Sequence, residues 1–276
     1  MEIRTQPPPN LLYFPACILI TTSLIAILTG VGFVAGIIDA IAGGGSLLVI
    51  PALLLAGLDP VSVLATNKLQ GSFGTGSAVL TYARHGHIDF HKCRLMMVTT
   101  SSAACLGVLT VAFAPTTLLS AIMPLLLIAM AIYFALSPKL SDDDVHARTT
   151  LTKFSWIAAP AIGFYDGLFG PGAGSFYLLG FVTLLGYGVL RASAHTKLLN
   201  FTSNFASLIV FALSGKILWT LGLAMGAGQF LGAQVGSRLA IKNGAKLIRP
   251  LLVVMCIAMA IKLLLDPANP LRALFP

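Results

Sequence analysis

The chain has 276 residues, 57% of them hydrophobic and only 9% charged, with a mean hydropathy of +0.92. A soluble domain carries about 25% charged residues, so this composition excludes a water-covered globular protein and predicts an all-α polytopic membrane protein. The formal net charge of +8 implies no nucleic-acid partner, because most basic residues sit in short links between apolar runs, where the positive-inside rule puts them.

Ten apolar segments follow in chain order, at roughly 15–41, 46–57, 61–82, 93–113, 117–136, 154–170, 175–187, 190–213, 217–239 and 249–265. Runs of about 20 residues fit the ~30 Å hydrocarbon layer, and the lipid bilayer is the expected environment. The second and seventh are short, and each follows a glycine cluster, Gly43-Gly44-Gly45-Ser46 or Gly172-Ala173-Gly174-Ser175. The start, "MEIRTQPPPN", precedes a run too long for a signal-peptide core, so no cleavable signal is expected. The polar piece "SPKLSDDDVHARTTLTK" (137–153) separates residues 1–136 from 154–276, and its three aspartates read as a solvated loop. Cys17, Cys93, Cys105 and Cys256 have no metal-like spacing and read as packing residues with no disulfide framework.

The two parts are copies. A shift of 129 positions lays Gly43-Gly-Gly-Ser46 on Gly172-Ala-Gly-Ser175, Gly57 on Gly186, Lys68-Leu69 on Lys197-Leu198, Gly86 on Gly215 and Gly107 on Gly236. Upstream, "GFVAG" (32–36) meets "GFYDG" (163–167) after a two-residue gap. Charge sets their orientation. The loop "RHGHIDFHKCR" (84–94) is basic while its mate around Lys216 holds one lysine; "AFAPTT" (112–117) is uncharged while its mate carries Arg238, Lys242, Lys246 and Arg249. Equivalent loops on opposite faces make an inverted-topology repeat, an arrangement frequent in secondary transporters.

The glycine clusters predict broken helices. Non-helical backbone at membrane depth survives where it lines a cavity or is buried in protein, and a helix restarting there aims free N–H groups and a positive dipole end inward, toward an anion. The competing reading, close helix packing, fits Gly32-x-x-x-Gly36 and Gly163-x-x-x-Gly167. "LDPVSVLATNKLQ" starts a helix with Asp59 as cap and Pro60 in the first turn. Lys68 then lies about 12 Å inside at 1.5 Å per residue. Lys197 is its repeat mate. An ionisable residue at such depth marks a pathway or a partner; the alternative is a lysine that snorkels or pairs for structure. The candidate substrate-binding set is Lys68 and Lys197 with Gly43, Gly44, Gly45, Ser46, Gly172, Gly174 and Ser175, flanked by Thr66, Asn67, His195, Thr196, Asn200 and Asn204. Asp39 and Asp166 either pair with the lysines or carry a coupling proton, and the alignment does not superpose them.

His85-x-His87-x-x-x-His91 lies among Arg84, Lys92 and Arg94 and reads as an interfacial basic patch, with no metal expected. Trp156 and Trp219 sit near segment starts as interface anchors. Gly222, Gly226, Gly228, Gly232 and Gly236 give segment 217–239 a small face, for close packing or for subunit contact in a homodimer.

At "IDAIAGGGSLLVIPALLLAGLDPVSVLATNKLQ", "GFYDGLFGPGAGSFYLLGFVTLLGYG", "AHTKLLNFTSNFASLIVFALSGKI" and "GQFLGAQVGSRLAIKNGAKLIRP" the sequence resembles the TauE/SafE sulfite-exporter family, in particular its YfcA-like branch. The resemblance covers nearly the whole chain. It implies a multi-pass permease of the inner membrane for sulfur-containing anions such as sulfite or sulfonates.

The expectation is a secondary transporter for a small anion, working by alternating access, with no cofactor. No nucleotide-binding GK[ST] element is present. An anion channel is the nearer alternative. An intramembrane aspartyl enzyme is the remoter one: "FYDG" supplies a Tyr-Asp pair, but both glycine clusters end in serine where that chemistry needs a second aspartate.

Overall fold

The computed structural model describes residues 22–113, 144 and 146–243, and among these it contains helices and no strands. In chain order they are α1 (Thr22–Ala42), α2 (Gly45–Leu55), α3 (Pro60–Arg84), α4 (Phe90–Phe113), α5 (Leu151–Trp156), α6 (Ala158–Leu168), α7 (Ala173–Thr183), α8 (Val189–Ser214) and α9 (Trp219–Asn243). The segments expected at 117–136 and 249–265 lie outside the described residues.

By length and composition, α1, α4 and α8 suffice to cross a membrane. The 25-residue helices α3 and α9 are as long, about 37 Å at 1.5 Å per residue, but carry polar side chains inward. Polarity is therefore arranged inside out. Phe113 and Leu213 are 87% and 86% exposed, whereas Lys68 and Lys197 are each 1% exposed. That is the distribution hydrocarbon solvent dictates: apolar groups outward, ionisable groups in the protein interior.

Local signals explain the boundaries. Asp59 accepts a hydrogen bond from Ser62 N at 3.0 Å, and Pro60 opens α3 without needing a donor. Thr150 caps α5 by accepting from Lys153 N. Gly43, Gly57 and Gly86 adopt positive φ, and so do Gly172, Gly186 and Gly215, each 129 residues later. The chain turns at the same places in both halves.

Two glycine seams bind the halves together. On α1, a Cβ added at Gly32 would lie 2.6 Å from Met225 O of α9, and from the other side Gly228, Gly232 and Gly236 face Thr29, Phe33 and Ile37. On α6, a Cβ at Gly163 would lie 2.8 Å from Thr100 O of α4, and Gly107 of α4 abuts Phe164 and Leu168. Small residues let backbones approach this closely. On α9, Gly228, Gly232 and Gly236 are thus covered by α1 of the same chain, while Gly222 and Gly226 lie against Leu69 and Phe73 of α3.

Of the linker's three aspartates only Asp144 lies among the described residues, and it is exposed. Asp144 accepts from Gly188 N at 2.5 Å, at the start of α8, and pairs with Arg191 at 3.0 Å. Its carboxylate meets orphan N–H groups and the positive helix end.

Candidate functional site

Both glycine clusters break the helix, and the breaks meet. α1 stops at Ala42, the chain turns through Gly43 at φ 83°, and α2 restarts at Gly45. α6 stops at Leu168, the chain passes Gly170 at φ 89° and Gly172 at φ 73°, and α7 restarts at Ala173. A Cβ on Gly174 would stand 2.6 Å from Gly43 O, and one on Gly43 would stand 2.5 Å from Gly174 C. Backbone touches backbone, which only glycine permits. Ser46 Oγ donates to Gly170 O at 3.2 Å and accepts from Gly172 N at 3.4 Å; Ser175 Oγ donates to Ala42 O at 2.8 Å. Each serine thus satisfies backbone freed by the other half's break.

Each lysine pairs across the halves. Lys68 Nζ lies 2.7 Å from Asp166 Oδ1 and donates also to Asp166 O at 2.5 Å, and Ser203 Oγ donates to Asp166 Oδ2. Lys197 Nζ lies 3.4 Å from Asp39 Oδ2, and neither atom has a hydrogen-bond partner. The other oxygen, Asp39 Oδ1, accepts from Gly45 N at 3.2 Å, the first residue of α2. A carboxylate therefore already occupies the anion-seeking end of one broken helix.

Against the breaks lies a cavity of about 20 Å³, lined chiefly by Asp39, Asp166, Ser46 and the carboxamides of Asn67, Gln70, Asn200, Asn204 and Gln229. A water needs about 10–15 Å³ of such space, so the cavity holds about one. Glycines make room for the amides: a Cβ on Gly74 would meet Gln229 Cγ at 2.5 Å, and one on Gly174 would meet Asn200 Nδ2 at 2.5 Å. Gln70 Oε1 and Gln229 Oε1 are buried without partners. Buried polar atoms that native proteins leave unpaired ask for water or a ligand.

The lining differs from the sequence expectation: aspartates, not lysines, form the wall, each ammonium stands behind its carboxylate, and of the two glycine clusters only Ser46 and Gly174 reach the cavity. Asn67, Asn200 and Asn204 line the cavity as expected. Thr66 does not; its Oγ1 accepts from Leu218 N at 3.2 Å, beside α9. Thr196 is buried with an unpartnered hydroxyl outside the lining. His195 packs between Tyr187 and Phe181, its Nδ1–H bonded to Arg191 O at 2.8 Å. It borders a separate recess of about 250 Å³ with His87, Asp89 and Arg191. There, partial burial and the neighbouring His85 hold the His87 imidazole below its usual pKa, so near neutrality the guanidinium supplies the recess's positive charge.

Gln70, Thr75 and Gln229 were missed from sequence. Gln229 had a signal, a carboxamide in the glycine-rich run "MGAGQFLGAQ", though the run ends in a second one, Gln234. Gln70, two residues beyond Lys68, had none that distinguishes it from a surface glutamine.

The family described as Sulfite exporter TauE/SafE matches residues 11–263. "Probable membrane transporter protein ORF9" of Sinorhizobium sp is 55% identical over 249 residues, covering 90% of this chain and 95% of its own length. "Probable membrane transporter protein YfcA" of Escherichia coli K12 is 45% identical over 253 residues, covering 92% and 94%. "Probable membrane transporter protein YunE" of Bacillus subtilis is 21% identical over 265 residues, covering 87% and 97%. No solved structure matches the chain. Helices apolar enough for a bilayer, a polar interior built on two helix breaks, and a match along nearly the whole length all agree: the chain belongs to the TauE/SafE sulfite-exporter family and is a membrane transporter, not an enzyme.

Proposed function

We propose that this transporter is a multi-pass permease of the inner membrane that carries small sulfur oxyanions, sulfite or simple sulfonates, by alternating access. The observation that carries the reading is the contact of two broken helices beside a small, amide-lined cavity. Half-helix N-termini supply fixed N–H groups and positive dipole ends, and carboxamides supply adaptable donors, so an oxyanion is recognised without a permanent excess of charge. The word sulfite comes from the family's description; the chemistry of the cavity supports the wider class of small oxyanions.

The matching series α1–α4 and α6–α9, turning at glycines a constant 129 residues apart, supports two copies of opposite topology. Their seams, α1 on α9 and α6 on α4, are then equivalent under the repeat, each joining one copy to the other. A cavity with space for one water suits an occluded, empty conformer. It must widen to admit a four- or five-atom anion, as rocking of one copy against the other would do. A continuous pore, which a channel requires, is not what such a cavity resembles.

The test is thermal shift of the purified full chain with sulfite, sulfate, thiosulfate, methanesulfonate and acetate. Stabilisation by one or more sulfur oxyanions above acetate is expected, because binding to the folded state raises its stability by mass action. Equal, negligible shifts with all five overturn the reading.

A further inference from the structure

We infer that Asp39 is the coupling group of the transporter: its carboxylate holds the place of the anion, at the start of α2 and before Lys197, and it yields that place by taking a proton. The inference rests on the anion-transport reading and gives that site its coupling ion.

The two sides of the Asp39 carboxylate are both anion-binding features. Oδ1 accepts from Gly45 N at 3.2 Å, and Oδ2 faces the Lys197 ammonium at 3.4 Å. An incoming oxyanion needs the same N–H group and the same ammonium. It cannot share them with an ionised Asp39, because two anions in one low-dielectric pocket repel strongly. Protonation of Asp39 removes one of the two negative charges and leaves Lys197 uncompensated. One proton added to the carboxylate and one monoanion added beside the ammonium keep the net charge of the site unchanged. The buried site therefore admits both or neither.

The geometry selects Asp39 over Asp166. Both Asp166 carboxylate oxygens are engaged, one by Lys68 at 2.7 Å and one by Ser203, and its main-chain carbonyl is engaged by the same ammonium. Asp39 Oδ2 and Lys197 Nζ are both more than nine-tenths buried, yet neither makes a hydrogen bond. Exchange at the loose pair breaks no hydrogen bond of the lysine; exchange at the tight pair breaks two. Asp39 also lines the cavity, so proton and anion reach it by one route.

The groups around Asp39 leave it as the acceptor. α8 presents Lys197, and α3 presents Tyr82, whose hydroxyl donates to Ala40 O at 3.0 Å, together with Lys68, already paired. Across the cavity α6 presents Asp166, with Tyr177 of α7 behind it. α9 contributes the neutral Gln229 at this depth and carries Arg238 and Lys242 on its exposed end, while α2 has no titratable side chain.

Linkage makes the claim quantitative. If the anion-bound form holds one more proton than the free form, affinity for a fully ionised ligand changes tenfold per pH unit, tightening as pH falls. Methanesulfonate, ionised at all relevant pH, is the probe, titrated calorimetrically into the detergent-solubilised chain between pH 5.5 and 8. A rise toward about tenfold per unit is expected for the wild type, and D39N should remove the dependence. Proton uptake in weakly buffered solution reads the same claim without a variant, should D39N not fold: about one proton per anion is expected. Affinity independent of pH with no proton uptake overturns the inference while leaving anion transport standing, and so does a slope that persists in folded D39N. No binding of methanesulfonate or sulfite at any pH fails the transport reading and this inference with it.

Discussion

The two buried ion pairs look equivalent in sequence and are unlike in structure. Lys68 and Lys197 are repeat mates, each reaching an aspartate of the other half. Yet Lys68 donates to both Asp166 Oδ1 and Asp166 O, and Ser203 Oγ donates to Asp166 Oδ2, whereas Lys197 and Asp39 face each other at 3.4 Å with bonds to spare. Burying charge is tolerable when pairing and hydrogen bonds replace hydration. The first pair meets that condition and ties the halves together. The second falls short of it, which is what a group required to release its partner during each cycle needs. The repeat thus supplies two lysines, and their surroundings divide structure from chemistry between them.

The sharpest way to break the comparison is to remove each ammonium. Lys68→Met leaves Asp166 buried with only the Ser203 hydroxyl on its carboxylate, a loss of about 3–5 kcal/mol for a buried pair deprived of one partner. Equilibrium unfolding by SDS titration should show it, with poor recovery of folded protein. Lys197→Met should cost clearly less, because the lysine makes no hydrogen bond and Asp39 keeps the Gly45 N–H. It should nevertheless abolish sulfite or sulfonate binding in the folded protein. Equal destabilisation by the two substitutions, or normal binding by the Lys197 variant, would remove the division of roles.

How much of this was legible beforehand follows from the same residues. Apolar run length and the glycine and proline punctuation placed α1 to α4 and α6 to α9 within a few residues, because desolvation and backbone sterics act locally. The constant offset of 129 found both breaks for the same reason. Which aspartate pairs with which lysine across the halves was not legible. Nothing in the alignment links Lys68 to Asp166, since the two aspartates do not superpose, and distance in the fold is set by packing. The glycine face of α9 shows the same limit: its smallness is visible in sequence, its partners α1 and α3 are not. Thr66 lies outside the cavity because it is turned from its neighbour Asn67 toward Leu218, and His195 because it sits more than a helical turn before Asn200, differences in rotation and depth that a list of polar neighbours does not encode.

A second comparison sets the two breaks against each other, and a methyl group probes it. Gly174→Ala places a Cβ against Gly43 O and within 2.5 Å of Asn200 Nδ2. Overpacking of this kind costs about 1–3 kcal/mol. Because the obstacle on one side is backbone, the halves must part locally. A folded but less stable protein with weakened anion binding is expected, read by SDS unfolding and by thermal shift with sulfite. An unchanged stability would mean that the breaks are not in contact.

The serines sharpen that contact at the smallest scale. Ser175 is fully buried and donates to Ala42 O at 2.8 Å, so Ser175→Ala leaves a carbonyl at the end of α1 unpaired in a dry place, at about 1–2 kcal/mol. Ser46 is only half-buried and its two bonds are long, 3.2 and 3.4 Å; Ser46→Ala should cost less than about 1 kcal/mol. In the double variant the losses should exceed their sum if the two serines brace one shared junction, since residues in one network do not act independently. Simple additivity in SDS unfolding would instead make each serine a local plug for its neighbour's carbonyl, and the junction would then depend on glycine backbone contact alone.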